Sequence, residues 1–426
     1  MRLAAEILLA FVALYPVCTA ALWMSGGVLF RWFEEPSSTD EPAGGWPGVT
    51  VLIPAYNEES VVGTCVEAAL AVDYPVLEVL VLDDGSTDAT ESAAREAARG
   101  DERCRVIRDP VNRGKADRLN IGFREARHGL VAVTDADTHL HPQALKLLVA
   151  RISRRPMLAA VAGAPHVTNR GRFLLAMQIL EAAATIGLIR RTQALTGRVG
   201  VVAGVLGLFR RDRVLAVGGY DSRMATEDID LTWKLLLAGW LTTYEPRALV
   251  GMQVPSSVRA LWAQRKRWAR GQGEVLHIHL REVSRWRNHQ MWLLSGESLA
   301  SLVWIVALVA TLVIAVLVLA LGDQGDLFGF GLAWGIAIAV VATLQLGVAL
   351  TLEHDYDPTT LRAFLIGALY PLAFWMISGA AALHSQIAGL FRGPRKQRVV
   401  WDIPREPLEA GRAGADEPLP GATREP

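Results

Sequence analysis

Cysteine is scarce in this 426-residue chain, which holds only Cys18, Cys65 and Cys104. They stand too far apart for the close pairs of a zinc site and are too few for a disulfide scaffold, so buried thiols are the expectation. Net charge is lacking too: 43 Lys and Arg balance 43 Asp and Glu. A duplex-binding protein needs a basic footprint, and without one nucleic acid is excluded as the principal partner. No Gly-x-Gly-x-x-Gly occurs, so a dinucleotide loop and a redox cofactor are unsupported.

Apolar residues are plentiful, at 51%, and mean hydropathy is +0.27. Residues 3–30 are almost wholly apolar, interrupted by Glu6 and closed by Arg31. About 20 such residues cross a hydrocarbon core. A cleaved signal peptide is the rival, given Cys18-Thr19-Ala20, but the apolar run continues through Leu29-Phe30 and a retained helix is expected. Hydrophobic segments return at 291–321, 327–352 and 361–391, separated by short polar loops. The Lys- and Arg-rich middle should face the cytoplasm. If all three C-terminal segments crossed, the basic stretch 392–398 would fall outside against that rule, so two or three crossings stay open. Pro371 marks the last segment as the one to re-enter or lie in the interface. The tail from Pro404 has the composition of a disordered segment.

The middle region alternates strand and helix patterns. Short apolar runs at 49–54, 77–82, 104–107 and 130–134 are separated by helical stretches, which implies an α/β domain with a parallel sheet. Ligands of such sheets sit beyond the carboxyl ends of the strands. Tyr56, Asp83-Asp84 and Asp135-Ala136-Asp137 all fall there and should share one cleft.

Each polar motif has a plain reading beside a chemical one. Asp135 and Asp137 leave a strand end together, suited either to a capped turn or to a hard divalent cation bridging to a diphosphate. Asp83-Asp84-Gly85-Ser86 suits a nucleobase or ribose contact, with Gly85 allowing a sharp turn; Ser86 or Asp88 would also cap a helix running to Gly100. Residues 112–117, with Arg113, Gly114 and Lys115, open a helix where a phosphate or a base would be held, or are surface charge. Thr226-Glu227-Asp228 leads into an apolar helix; its acids complement a helix dipole, or one of them takes a proton as general base. Gln264, Arg267 and Trp268 fall at i, i+3 and i+4 of a basic helix. That helix suits a membrane surface, and Trp268 would also serve as a stacking platform, with Arg267 offsetting leaving-group charge. Residues 172–192 form a second interfacial candidate.

The ordered set Asp83-Asp84-Gly85-Ser86, Asp135-Ala136-Asp137, Thr226-Glu227-Asp228 and Gln264-Arg265-Lys266-Arg267-Trp268 resembles the processive family 2 glycosyltransferases. Residues 187–193, 226–233, 244–249, 264–275 and 394–401 resemble the bacterial branch that builds poly-β-1,6-N-acetylglucosamine; the likeness spans about residues 49–401. The resemblance implies a GT-A-type, Rossmann-like α/β domain embedded in a helical membrane protein. Its expected parts are a helix at 1–33, a linker at 34–48, the catalytic domain at 49–255, an interfacial helix region at 256–290, membrane segments at 291–391 and a tail at 392–426. It implies a multi-pass protein of the bacterial inner membrane with its catalytic domain in the cytoplasm.

The resemblance also implies roles. Tyr56, Glu58, Asp83, Asp84, Lys115 and Asp135 would hold the UDP-sugar, UDP-N-acetylglucosamine by this likeness, with Asp135 and Asp137 binding Mg2+ or Mn2+. Asp228 would be the base with Glu227 beside it, and Thr226, Gln264, Arg267 and Trp268 would serve the growing polysaccharide and the diphosphate. A small membrane-protein partner is implied as well. Two departures stand out: one N-terminal span where that branch carries two, and Ala203 where a Ser commonly precedes the Gly. Hyaluronan, chitin or cellulose chemistry, or single addition to a lipid carrier, are the alternatives.

Overall fold

A computed structural model describes residues 2–35, 39–169, 173–320, 327–356, 360 and 370–399. The start of the last apolar segment and the tail from Pro404 therefore lie outside the described residues.

The middle region folds around one eight-stranded sheet. Its strands are β1 (Val49–Ala55), β2 (Leu77–Asp83), β3 (Cys104–Arg108), β4 (Leu130–Thr134), β5 (His139–Leu140), β6 (Leu158–Val167), β7 (Leu206–Arg210) and β8 (Leu241–Met252). Every residue of β1, β2 and β4 is buried, as expected of strands covered on both faces. The spatial order is β3-β2-β1-β4-β7-β6-β8-β5. β1 to β4 are mutually parallel, in line with the sequence. The other half corrects the all-parallel expectation, because β7 runs antiparallel to both β4 and β6.

β6 and β8 were illegible for a physical reason. β6 reads LAAVAGAPHV, poor in the branched residues that favour strands, and β8 contains Pro246. The β6–β8 register slips between Ala162 and Ala164, opposite the stretch containing Pro246, and such an irregularity is where a strand tolerates proline.

One face of the sheet is covered by α2 (Val62–Leu70), α3 (Thr90–Ala98) and α5 (Ala144–Ser153), the other by α4 (Lys115–Glu125) and α9 (Glu227–Leu237). Along α2, Val62, Cys65, Val66 and Ala69 are buried, the i, i+3, i+4, i+7 stripe of an amphipathic helix. α1 (Arg2–Phe33) ends inside this domain: Phe30 is fully buried in the second core, and Arg151 Nη1 donates to Glu34 O at 2.6 Å.

Four helical stretches among the described residues are long and apolar enough to cross a membrane: Glu6–Phe33, Phe173–Leu195, Trp286–Leu317 and Trp334–Glu353. Phe173–Leu195, which holds α6 (Phe173–Glu181), a π-helical turn and α7 (Leu188–Leu195), is docked on the α/β domain at both ends. Gln178 Nε2 donates to Pro255 O at 2.8 Å, and Arg190 Nη1 donates to Gly163 O at 3.2 Å. Arg191, expected at an interface, is instead buried between Glu35 and Glu353.

The remaining helices have readable sidedness. α11 (Trp292–Ala320) leaves the domain and α12 (Leu327–Glu353) returns to it, where Glu353 meets Arg191 and Asp355 meets Arg31. After Tyr370–Ala381 and Ile387–Arg392 the chain is again at the domain: Arg398 Nη1 lies 3.0 Å from Asp117 Oδ2, and Val399 N donates to Ser222 O at 2.8 Å. The described end of the last apolar segment thus lies beside the α/β domain. The basic stretch 392–398 is held beside the same domain, with Gly393 O accepting from Arg270 Nη2 and Arg398 paired with Asp117.

Candidate active site

The chain starts at β1, moves outward through β2 and β3, then returns to place β4 on the other side of β1. That reversal opens a crevice beyond the carboxyl ends of β1 and β4, and the motifs gather around it.

The loop after β1 is laced to the loop after β2. Asn57 adopts φ +53°, a left-handed conformation that Asn tolerates; its N donates to Ser86 Oγ at 3.0 Å, and its Oδ1 accepts from Thr87 N at 2.9 Å. Glu58 is buried, with its N donating to Thr90 Oγ1 at 2.8 Å, while Tyr56 is half-buried. Of the two residues expected at the helix start, Asp88 and not Ser86 supplies the bond. Ser86 does not cap α3; its hydroxyl and N donate to Asp83 Oδ1 at 2.5 and 3.0 Å. Asp88 Oδ1 instead accepts from Thr90 N at 3.0 Å.

Asp83 and Asp84 are both buried. Asp84 accepts from Arg113 N at 3.0 Å and Gly114 N at 2.7 Å. The amides at the start of α4, suggested above for a phosphate, are therefore engaged by a carboxylate of the protein itself. Burial raises the Asp84 pKa, against the pull of those two amides and of Arg118. Gly85 has φ +74°, and a Cβ there would stand 2.9 Å from Asn112 N, so the sharp turn expected of it is real.

Lys115 joins two motifs. Its ammonium forms an ion pair with Asp135 Oδ1 and lies 3.9 Å from Glu227 Oε1. Burial by itself would depress its pKa, but Asp135, Glu227 and Asp228 outweigh that and hold it above the usual value. Glu227 is raised by burial and by Asp228, with Lys115 and Arg267 opposing. Beneath them Tyr220, invisible as a site residue in the sequence, is buried; burial and the carboxylates of Glu227, Asp228 and Asp135 push its phenol up. Gly204 faces the same pair: a Cβ there would stand 2.8 Å from Lys115 Nζ and 3.8 Å from Asp135 Oδ1. The Cys65 thiol packs below, 3.4 Å from Asp135 O, its pKa pushed up to about 12 by burial first and then by Asp137.

The Gln-x-x-Arg-Trp motif arrives on α10 (Val258–Val283). Gly271 packs directly on Thr226, leaving no space for a side chain, and Thr226 itself is buried. Gln264, Arg267 and Trp268 lie on α10, with Arg267 and Trp268 exposed and Gln264 half-buried. Arg265 covers the Trp268 ring at 4.5 Å. Asp135, Lys115, Glu227, Thr226 and α10 thus form one continuous chain of contacts, and Asp137 and Asp228 are partly exposed beside it. Among the described residues no cluster of three His, Cys, Asp or Glu is arranged to hold a metal.

The mixed sheet with an Asp-x-Asp after β4 defines a GT-A glycosyltransferase, carrying helices long and apolar enough for a membrane. The sequence profile described as "Glycosyltransferase like family 2" matches residues 47–271. The chain belongs to that family and is a hexosyltransferase. It is 29% identical over 384 residues to a poly-β-1,6-N-acetyl-D-glucosamine synthase of Staphylococcus epidermidis, covering 88% of this chain and 92% of that one. To the Staphylococcus aureus (strain COL) synthase of the same name it is 30% identical over 390 residues, with the same coverage. In fold it is similar to a mannosyltransferase from Pyrobaculum calidifontis solved with GDP-Man and Mn2+: TM-score 0.65, 21% identity, 91% of this chain and 99% of that chain.

Proposed function

We propose that this chain is a membrane-bound, processive, inverting β-glycosyltransferase that polymerises N-acetylglucosamine from UDP-N-acetylglucosamine into an exported poly-β-1,6-linked polysaccharide. The observation that carries this reading is the position of Lys115 between Asp135 and Glu227, with α10 packed on Thr226. Donor, base and acceptor motifs are thereby within one site. The staphylococcal synthases supply the sugar and linkage. The reading includes residence in the bacterial inner membrane with the catalytic domain in the cytoplasm, supported by the four long apolar helices and the Lys- and Arg-rich middle region.

In this mechanism Asp228 takes the proton from the terminal hydroxyl of the acceptor, whose oxygen bonds to C1 of the donor sugar. The bond from C1 to the diphosphate oxygen breaks and UDP leaves with the electron pair. Arg267 and Lys115 offset the charge that collects there. Trp268, with one face covered by Arg265 and the ring still exposed, offers its other face to the acceptor sugar.

Asp135 and Asp137 fit a divalent cation. Both are hard oxygen donors and partly exposed, and the absent side chain of Gly204 leaves room beside Asp135. Two carboxylates completed by substrate phosphates are a normal Mg2+ set. Bound Mg2+ or Mn2+ would neutralise charge on the departing diphosphate.

The test is a panel of radiolabelled UDP-sugars given to native membranes containing the protein. The expected result is incorporation of N-acetylglucosamine alone, into a long product cut by a β-1,6-specific hydrolase. A single-sugar lipid product, or incorporation of another sugar, would overturn the reading.

A further inference from the structure

Behind the Thr226–Asp228 turn lies a set of buried charges that the reaction does not use. Glu274 of α10 is fully buried. Its Oε2 accepts from Ala225 N at 2.9 Å, and its Oε1 accepts from Arg270 Nε at 2.6 Å. Arg270 Nη2 in turn donates to Gly393 O at 2.9 Å, where the chain leaves the last helix. Five residues further along α10, His279 Nε2 lies 2.8 Å from Asp230 Oδ1. Asp230 is buried, and its Oδ2 is 2.6 Å from Lys234 Nζ. The two contacts grip the chain at Ala225 and Asp230, on either side of Glu227 and Asp228. Between them Gly271 seats Thr226.

Stability alone does not account for this arrangement. Ile229, Trp233, Leu236, Val275, Leu276 and Val283 already form an apolar seam between α9 and α10. A buried ionic contact is often no more stabilising than a well-packed apolar one, and its best-attested use is to specify register. An apolar seam can slide or rotate slightly, whereas a carboxylate on one amide and an imidazole on one carboxylate each permit a single alignment. Glu274 follows Arg267 by seven residues, about 10 Å along a rigid helix.

We propose that Glu274 and His279 are positioning residues that hold the base-bearing turn in register with the acceptor helix, keeping Asp228 aligned with the hydroxyl presented beside Arg267 and Trp268. The proposal rests on the transferase reading above. When register is lost, the donor still binds, because its contacts lie at the ends of β1, β2 and β4 and at Lys115 on α4, none of them on α9 or α10. The sugar at C1 is then captured by water instead of the acceptor hydroxyl: the water oxygen bonds to C1 and gives up a proton to solvent, the same C1–oxygen bond breaks with its electron pair leaving on UDP, and free sugar is released.

The experiment measures UDP released per sugar incorporated, with donor KM and kcat, for full-length protein in native membranes. His279→Leu and Glu274→Ala should lower kcat for incorporation about 10- to 100-fold, the scale of a small misplacement, leave donor KM unchanged, and raise UDP released per sugar incorporated. His279→Gln, whose amide keeps an N–H near the Nε2 position, should restore both values, and Glu274→Gln should fall between. If the first two variants do not accumulate in the membrane, Glu274→Gln carries the test through the same ratio. A ratio that stays at the wild-type value while incorporation falls, or no rescue by His279→Gln, would overturn the proposal. Asp228→Asn separates the two readings: wild-type incorporation there sinks the transferase mechanism itself, whereas its loss together with unchanged ratios in the other variants sinks only the positioning role.

Discussion

Arg265 and Glu181 form a two-pronged ion pair, Nη1 to Oε1 at 2.6 Å and Nη2 to Oε2 at 2.5 Å, and the same guanidinium lies 4.5 Å from the Trp268 ring centroid. A residue between the named positions of Gln-x-x-Arg-Trp thus ties α10 to α6 and packs its guanidinium on the Trp268 ring.

Replacing Arg265 by Lys keeps the charge but loses the planar fork and the stack. Incorporation should fall roughly 10-fold or more, the scale of a displaced positioning group, with donor KM little changed. Product length on a sizing gel should shorten, because a loose platform releases the chain sooner. Equal product lengths in wild type and variant would show that Trp268 needs no such support.

Asp228→Asn should abolish transfer by about 10²- to 10⁴-fold, the usual contribution of general base catalysis. Donor binding, measured by displacement of a labelled nucleotide sugar, should persist, since Asp228 is not among the strand-end donor contacts.

Chelation of divalent ions should stop incorporation, and Mg2+ or Mn2+ should restore it. Asp137→Asn should raise the metal concentration needed for half-maximal rate, because one of two hard ligands is lost. Full activity in excess chelator would remove Asp135 and Asp137 from metal binding.

Gly85→Ala should destabilise the catalytic domain. The residue sits at φ +74° with backbone of the 111–112 turn 2.9 Å from where a Cβ would go, and strain of this kind costs on the order of 1–3 kcal/mol. A lower midpoint of thermal inactivation checks it. Gly129→Ala, with open space around its Cα, is the control expected to behave as wild type.

Much of this was legible before any coordinates. Residues 49–54, 77–82, 104–107 and 130–134 were readable as strands because buried parallel strands are short unbroken apolar runs. Tyr56, Asp84 and Asp135 were readable as a strand-end cluster because parallel topology puts all carboxyl ends on one side. β6 and β8 were not readable: alanine-rich β6 has little strand preference of its own, β8 is interrupted by Pro246, and each is held by its neighbours. The partners of the motif residues were equally hidden. The amides of Arg113 and Gly114 looked available to a phosphate, and only the fold delivers Asp84 to them.

The sequence by itself determined the order of the motifs, the residue types able to do the chemistry, and the apolar lengths that reach across a bilayer, since all three are local properties of the chain. Tertiary structure decided that Lys115 bridges Asp135 and Glu227, that Gly271 admits Thr226, and that Arg191 is buried between Glu35 and Glu353. It also decided that Arg398 and Val399, past the last described helix, return to the α/β domain at Asp117 and Ser222. Those are contacts between residues tens to hundreds of positions apart, and they depend on how sheet, α10 and membrane helices close on one another, which no local pattern records.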